Sequence, residues 1–223
     1  MNYSGTIRPT ADERPIDALI AAFAARTLSA PFAAMVAAHL ELRPENRAYA
    51  ATLEAVHGVF LAELRPVPLA GRDRRLVNIF AAPPIEMPSV CPAGAEAAML
   101  PRALGRLAGG DLGELTWRSR GAGLKEATLA ADGAGQVLFA TVRPGKHLPL
   151  PLVDGLAAAL VLDGTVSDAE GIHGRGAIVF AEPGLADAPV AAGEGDCVCF
   201  IVADAPVRVR GPLSRVFGRV IGN

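Results

Sequence analysis

The chain changes its hydrophobic periodicity at a proline-rich stretch, and this change constrains its fold more than any other feature. Before residue 82, apolar residues recur at the three- and four-residue spacing of one helical face. After residue 107, they occur in short runs bounded by glycines, which is typical of strands joined by tight turns. Four prolines lie between residues 83 and 92, where a helix cannot continue. The sequence therefore predicts an α+β protein with a helical part followed by an all-β part.

The first part is predicted to contain four helices. Three of them begin near prolines that suit the first turn of a helix, namely Pro15, Pro31 and Pro44. The fourth runs from Arg72 to Ala81, with Leu76, Ile79 and Phe80 on one side. Four large apolar side chains of the first two helices would face either the core or a protein partner, and they are Leu19, Phe23, Phe32 and Met35. The periodicity alone does not decide between these two roles.

The second part is predicted to be an antiparallel sandwich or barrel. Six short apolar runs carry this prediction, at residues 124–130, 136–142, 156–162, 177–181, 197–202 and 207–209. Many short strands with no helix between them favour these two architectures. Their spacing does not distinguish one all-β fold from another.

Charge and composition exclude several classes of protein. The formal net charge is −2 and the sequence pI is about 6.1, which leaves no basic surface for direct nucleic-acid binding. No apolar run reaches the roughly 20 residues of a membrane-spanning helix. The N-terminal residues lack the basic start and apolar core of a signal peptide. We therefore expect a cytoplasmic protein that contacts no membrane.

The three cysteines do not predict a disulfide framework, because their number is odd. Cys91 lies in the proline-rich stretch and is the best candidate for a reactive thiol. Cys197 and Cys199 stand two residues apart in a predicted strand, so their side chains share one face. Buried, inert thiols are the favoured interpretation of this pair. Whether any of the three has a redox role stays open at this stage.

Several segments match one known family in order and spacing. They are residues 39–46, residues 99–104 followed by Trp117, and residues 142–145, 160–164, 196–199 and 204–206. Together with the helices of residues 15–81, they resemble the cupin-type anti-sigma factors related to the transcriptional activator ChrR. The resemblance implies a small helical anti-sigma-like bundle at residues 1–82 and a proline-rich linker at 83–98. It also implies a cupin-like antiparallel β-barrel, or jelly roll, at residues 99–223.

The resemblance to this family is strongest in the segments that form the scaffold and weakest at the positions of the metal ligands. In this family one zinc frame reads His-x3-Cys-x2-Cys, and here it is occupied by His39, Arg43 and Asn46. A second frame reads His-x-His-x3-Glu and ends at a distant histidine. Here its positions are Pro151, Val153, Ala157 and Asp187. Structural zinc needs four ligands, so we expect no metal and no cofactor. The residual candidate ligands are His39, Asp187 and His147, and His39 is expected to be a packed core residue.

By resemblance, the chain is a transcriptional regulator that sequesters an extracytoplasmic-function (ECF) sigma factor in a stress response. It would act by binding and release, without zinc and without catalytic residues. A different class of function is a small-molecule binding module. In that case Pro151, Val153, Ala157 and Asp187 would line an apolar pocket in place of the metal site. A metal-dependent cupin enzyme is the third possibility.

Overall fold

The computed structural model describes residues 15–83, 100–121, 123–132, 135–151, 155–181 and 188–204. Five α-helices lie in these ranges: α1 Pro15–Ala24, α2 Ala30–Leu42, α3 Arg47–Glu63, α4 Arg72–Ala81 and α5 Arg102–Ala108. The four helices predicted from the sequence are confirmed. Helix α5 was not predicted, since it has only seven residues and one buried side chain, Leu104. Gly109 ends it with φ 75°, a left-handed conformation that favours glycine. Among the described helices, none combines the length and hydropathy that a bilayer span requires.

Nine strands in the described ranges form two antiparallel sheets. They are β1 Arg118–Ser119, β2 Leu124–Asp132, β3 Gly135–Val142, β4 Leu156–Asp163, β5 Thr165–Asp168, β6 Gly171–His173, β7 Ile178–Phe180, β8 Val190–Ala192 and β9 Cys197–Asp204. The large sheet has the order β1-β2-β3-β9-β4-β7, and the small sheet has the order β6-β5-β8. Five of the six predicted runs correspond to β2, β3, β4, β7 and β9. The sixth, at 207–209, lies outside the described residues.

The predicted cupin-like β-barrel, or jelly roll, is not closed among the described strands. Strand β9 pairs with both β3 and β4, which places three apolar strands of eight residues each at the centre of one open sheet. The small sheet packs on one face of that sheet and does not continue its strand ladder. The architecture is thus a double-layered sandwich, which is how jelly rolls are built.

The three central strands of the large sheet, β3, β9 and β4, are buried on both faces. Phe139 and Phe200 face the helices, with ring centroids 5.0 Å apart. The neighbouring residues Leu138 and Ile201 face the small sheet. Because both faces are covered, β4 is buried at every position except its two ends. This explains why these strands have continuous apolar runs where a half-exposed strand would alternate.

The predicted helices do not form a separate bundle with its own core. Leu19, Phe32 and Met35 belong to one apolar cluster with Phe139 and Phe200 of the large sheet. Helices α1, α2 and α5 therefore share a core with the large sheet, and α3 joins this core through its first turns. Residues 84–98 of the predicted linker, Cys91 among them, lie outside the described residues. The domain boundaries at 82 and 99 stay a prediction.

Candidate functional site

The first zinc frame of the sequence forms a hydrogen-bond network at the turn between α2 and α3. The His39 side chain is only 4% exposed. Its Nδ1–H donates to the carbonyl oxygen of Gly176 at 2.6 Å. Its Nε2 accepts a hydrogen bond from the Asn46 side-chain amide at 2.8 Å. Because a carbonyl can only accept, the proton of the neutral imidazole lies on Nδ1.

The same turn contacts the loop that precedes β7. The Arg43 Nε–H donates to the carbonyl oxygen of Arg175 at 2.9 Å. Gly176 has φ 85°, and a Cβ there would lie 2.9 Å from Cγ of Arg43. Only glycine allows this approach without a shift of the turn. We term these five residues the His39 junction, comprising His39, Arg43, Asn46, Arg175 and Gly176. It fixes the end of α2 to the β-sandwich.

The residues of the His39 junction do not suit a zinc ion. Both ring nitrogens of His39 are used in hydrogen bonds, so neither has a lone pair directed at a metal. Arg43 adds a permanent positive charge at the position where the resemblance implies a thiolate. Within the described ranges, no group of three or more His, Cys, Asp or Glu side chains is close enough to hold a metal ion. A hydrogen bond joins His39 to Asn46 at two positions of this frame.

Chelator treatment is therefore expected to leave the thermal unfolding midpoint of the full chain unchanged. Hydrogen bonds and the shared core hold the helices, and these do not depend on a bound ion. Differential scanning calorimetry with and without EDTA checks this expectation, with a zinc-finger domain as the control that should unfold. A fall of the midpoint with EDTA that added zinc reverses would contradict it.

Burial lowers the pKa of His39 below 6.5, because the charged imidazolium loses hydration in the core. The hydrogen bond to the Gly176 carbonyl opposes this shift in pKa, and Glu45 opposes it more weakly. The positive charge of Arg43 acts in the same direction as burial. The folded chain thus favours the neutral form of His39.

This preference predicts that stability decreases in mild acid. The unfolded chain takes up a proton at His39 before the folded chain does, so the stabilising contribution is complete above pH 6.5. It is lost as the pH falls through the lower folded pKa, with a slope of at most about 1.4 kcal/mol per pH unit. Urea denaturation at several pH values should give a smaller slope for His39→Gln than for the native chain. Equal slopes would show that His39 does not titrate in this way.

The second zinc frame is only partly described. Ala157 is buried in the sandwich and packs with Ala203 and Ala181. Pro151 is half-buried. Val153 and Asp187 lie outside the described residues, so the predicted apolar pocket stays a prediction. His147, the other candidate ligand, is exposed, and its Nδ1–H donates to the carbonyl oxygen of Ala188 at 3.0 Å.

Cys197 and Cys199 are fully buried on the face of β9 that packs against the small sheet. Their sulfur atoms lie 3.5 Å apart and share a hydrogen bond. That bond lowers the pKa of Cys197 and raises the pKa of Cys199, and burial raises the pKa of Cys199 further. Both thiols are free and occupy core positions, as the sequence predicted.

Most of the exposed large apolar side chains among the described residues lie on α3, α4 and their connection. Apart from half-buried Leu76, every residue from 54 to 83 is exposed, and we term this segment the apolar arm. Its exposed large side chains are Val56, Val59, Phe60, Leu61, Leu64, Val67, Leu69, Val77, Ile79 and Phe80. In soluble proteins, large apolar side chains clustered on one exposed surface commonly mark a site of protein–protein contact. The arm is therefore the best candidate for a protein-binding site.

The four helix residues proposed from the sequence as possible partner contacts have a different role. Leu19, Phe32 and Met35 are buried, and Phe23 is half-buried against the same core. Of the two roles that the sequence left open, they face the core. The signal for the arm was present in the sequence, since α4 has an apolar stripe beside three arginines.

The chain is similar to a characterised protein over nearly its whole length. It is 34% identical over 200 residues to the anti-sigma-E factor ChrR of Cereibacter sphaeroides, covering 90% of this chain and 93% of the relative. A chain in the crystal structure of Rhodobacter sphaeroides SigE in complex with the anti-sigma ChrR matches with a TM-score of 0.67 and 31% identity. That match covers 84% of this chain and 96% of the other.

A weaker structural match is an RmlC-like cupin protein from Ralstonia eutropha, with 14% identity and a TM-score of 0.36. It covers 49% of this chain and 82% of the cupin. No protein-family model matches the chain.

Proposed function

The chain belongs to the family of the anti-sigma factor ChrR, and on that premise we propose that it sequesters an ECF-type sigma factor. It would hold the sigma factor away from RNA polymerase in the cytoplasm and release it in response to a stress signal. The relative from Cereibacter sphaeroides is an anti-sigma-E factor, and the matching crystal structure is a complex with SigE. The mechanism is binding and release, without a chemical step.

The observation that carries this proposal is the exposure of the apolar arm. Phe60 is 62% exposed and Ile79 is 66% exposed, although both lie on amphipathic stripes that normally pack. A stable complex buries at least about 1,000 Å² in total, and large apolar side chains near its centre contribute most of the affinity. The arm supplies such side chains, whereas those of α1 and α2 already form the core.

The His39 junction supports a regulator that works without zinc. It performs the structural task of a metal site, because it fixes the α2–α3 turn from which the arm extends. The direction of α3 is then set by buried hydrogen bonds. We propose that this chain keeps the scaffold of its family while its helical part needs no metal.

The two alternative functions gain no support of their own from the described residues. Ala157 packs closely with Ala181 and Ala203 at the position that the pocket hypothesis requires to be open. The His173 imidazole contacts the Asp168 carboxylate at 2.8 Å within the β5–β6 hairpin. The same carboxylate accepts hydrogen bonds from the backbone N–H groups of Glu170 and Gly171 in the turn. This pair has a local structural role.

The proposal is tested by pairwise co-purification of the full chain with each ECF-type sigma factor of its host. We expect a stable one-to-one complex with at least one of them, and inhibition of transcription by the corresponding holoenzyme. A housekeeping sigma factor serves as the control that should not bind. If none of the ECF-type sigma factors binds, the anti-sigma function is wrong for this chain.

A further inference from the structure

Helix α4 has the amphipathic pattern of a packed helix but no core to pack on. None of its ten residues is buried. Its apolar side consists of Leu76, Val77, Ile79 and Phe80, and Phe80 is 83% exposed. In a helix of this kind most of the stability comes from tertiary packing of the apolar face. That contribution is missing for α4 in the isolated chain.

The local interactions of α4 do not replace the missing packing. Isolated helices shorter than about 12–15 residues are marginal in water even with favourable sequences. The residue before the helix is Gly71, which has no side chain to accept a hydrogen bond from the first turn. The ion pair between Arg72 and Asp73, at 3.1 Å, is exposed on both sides and contributes little. Val77 and Ile79 are β-branched, which further disfavours an isolated helix.

We propose that α4 folds on its partner. In the free chain residues 64–83 exchange between α4 and unfolded conformations, and the sigma factor selects the helix by covering its apolar side. This inference rests on the proposed function, since it names the sigma factor as the occupant. The partner surface is an apolar groove bordered by carboxylates, because α4 carries Arg72, Arg74 and Arg75 against a single acidic residue, Asp73.

Coupled folding has a consequence for affinity. The free energy of ordering α4 is subtracted from the binding free energy, so a change in helix propensity changes the dissociation constant. If the helix is already formed in the free chain, a change in helix propensity does not alter the affinity. It then changes the free energies of the free chain and of the complex equally. This difference separates a preformed helix from an induced one.

The free full chain provides the first test. Trypsin should cleave after the arm residues Arg72, Arg74 and Arg75 before it cleaves after Arg47. The Arg47 side chain donates to the carbonyl oxygens of Leu40 and Glu41 at 2.6 and 2.9 Å, which holds it at the end of α2. Amide hydrogen exchange should be fast in α4 and slow in α2. Equal protection of α4 and α2 in the free chain would overturn the proposal.

The second test uses two variants at Asn78, which lies opposite the apolar side of α4 by helical spacing. Asn78→Ala favours the helix and Asn78→Gly disfavours it. We expect the alanine variant to bind the sigma factor about fivefold more tightly than the glycine variant. Both should unfold at the same urea concentration, because α4 contributes nothing to the core.

The outcomes of this test separate the two proposals. Equal dissociation constants for Asn78→Ala and Asn78→Gly, in a complex that does form, would disprove coupled folding and leave the anti-sigma function intact. The absence of a complex with any ECF-type sigma factor would disprove the anti-sigma function and, with it, the partner on which α4 folds. A fivefold difference together with fast exchange in the free chain would support both.

Discussion

Phe32→Ala is expected to lower the free energy of unfolding by about 3–5 kcal/mol, because it removes a buried ring from the core between the helices and the large sheet. Phe80→Ala should change the same quantity by no more than about 0.5 kcal/mol, because the Phe80 side chain contacts water. Urea denaturation of the two variants measures both effects. Both variants replace phenylalanine by alanine, and the two replaced side chains differ in burial.

Similar losses of stability in the two variants would mean that α4 packs on the core in the free chain. A negligible loss of stability in Phe32→Ala would mean that α2 is not part of the shared core. Either result would contradict the assignment of core and docking surface given above.

Phe80→Ala is expected to weaken the complex with the cognate sigma factor by about 30-fold or more. Aromatic side chains at the centre of an interface typically contribute 2 kcal/mol or more on truncation, which corresponds to this factor. Ile172→Ala is the matched control, since Ile172 is also an exposed apolar residue but lies on β6 of the small sheet, outside the arm. Titration calorimetry of both variants gives the comparison.

The control variant should bind like the native chain. If Phe80→Ala also binds like the native chain while the complex forms, the sigma factor docks elsewhere than on the arm. If Ile172→Ala weakens the complex instead, the small sheet is part of the interface.

The sequence predicted the helices and most strands because local signals define them. Prolines set the starts of α1 and α2, and the glycine-bounded runs set the long strands. Local signals do not predict how many layers of structure pack on the large sheet. Leu138 and Phe139 are adjacent and both are buried, so the run gives no alternation to show which face is covered. The β-barrel, or jelly roll, was expected from the resemblance to the family, and the described strand pairings show that it is built from two open sheets.

At the candidate site too, local features were predictable from the sequence, whereas contacts between distant residues were not. The burial of His39 was predicted from its apolar stripe, and the structure confirms it. Its partner Gly176 lies 137 residues away in sequence, and nothing around either residue indicates the other. The roles of Leu19 and Phe80 could not be distinguished either. A stripe that packs on a sheet and a stripe that binds another protein have the same periodicity.

The shared core between the helices and the large sheet limits how such a protein can evolve. A protein whose parts have separate cores can exchange one part for a homologous part by recombination, and each part still folds. Here a break near residue 82 would expose Phe139 and Phe200 on one fragment and Phe32 and Met35 on the other. A recombinant would need complementary substitutions on both sides of the break at once. We therefore expect the helical and β-sheet halves of this chain to be inherited as a unit and their sequences to covary across the interface.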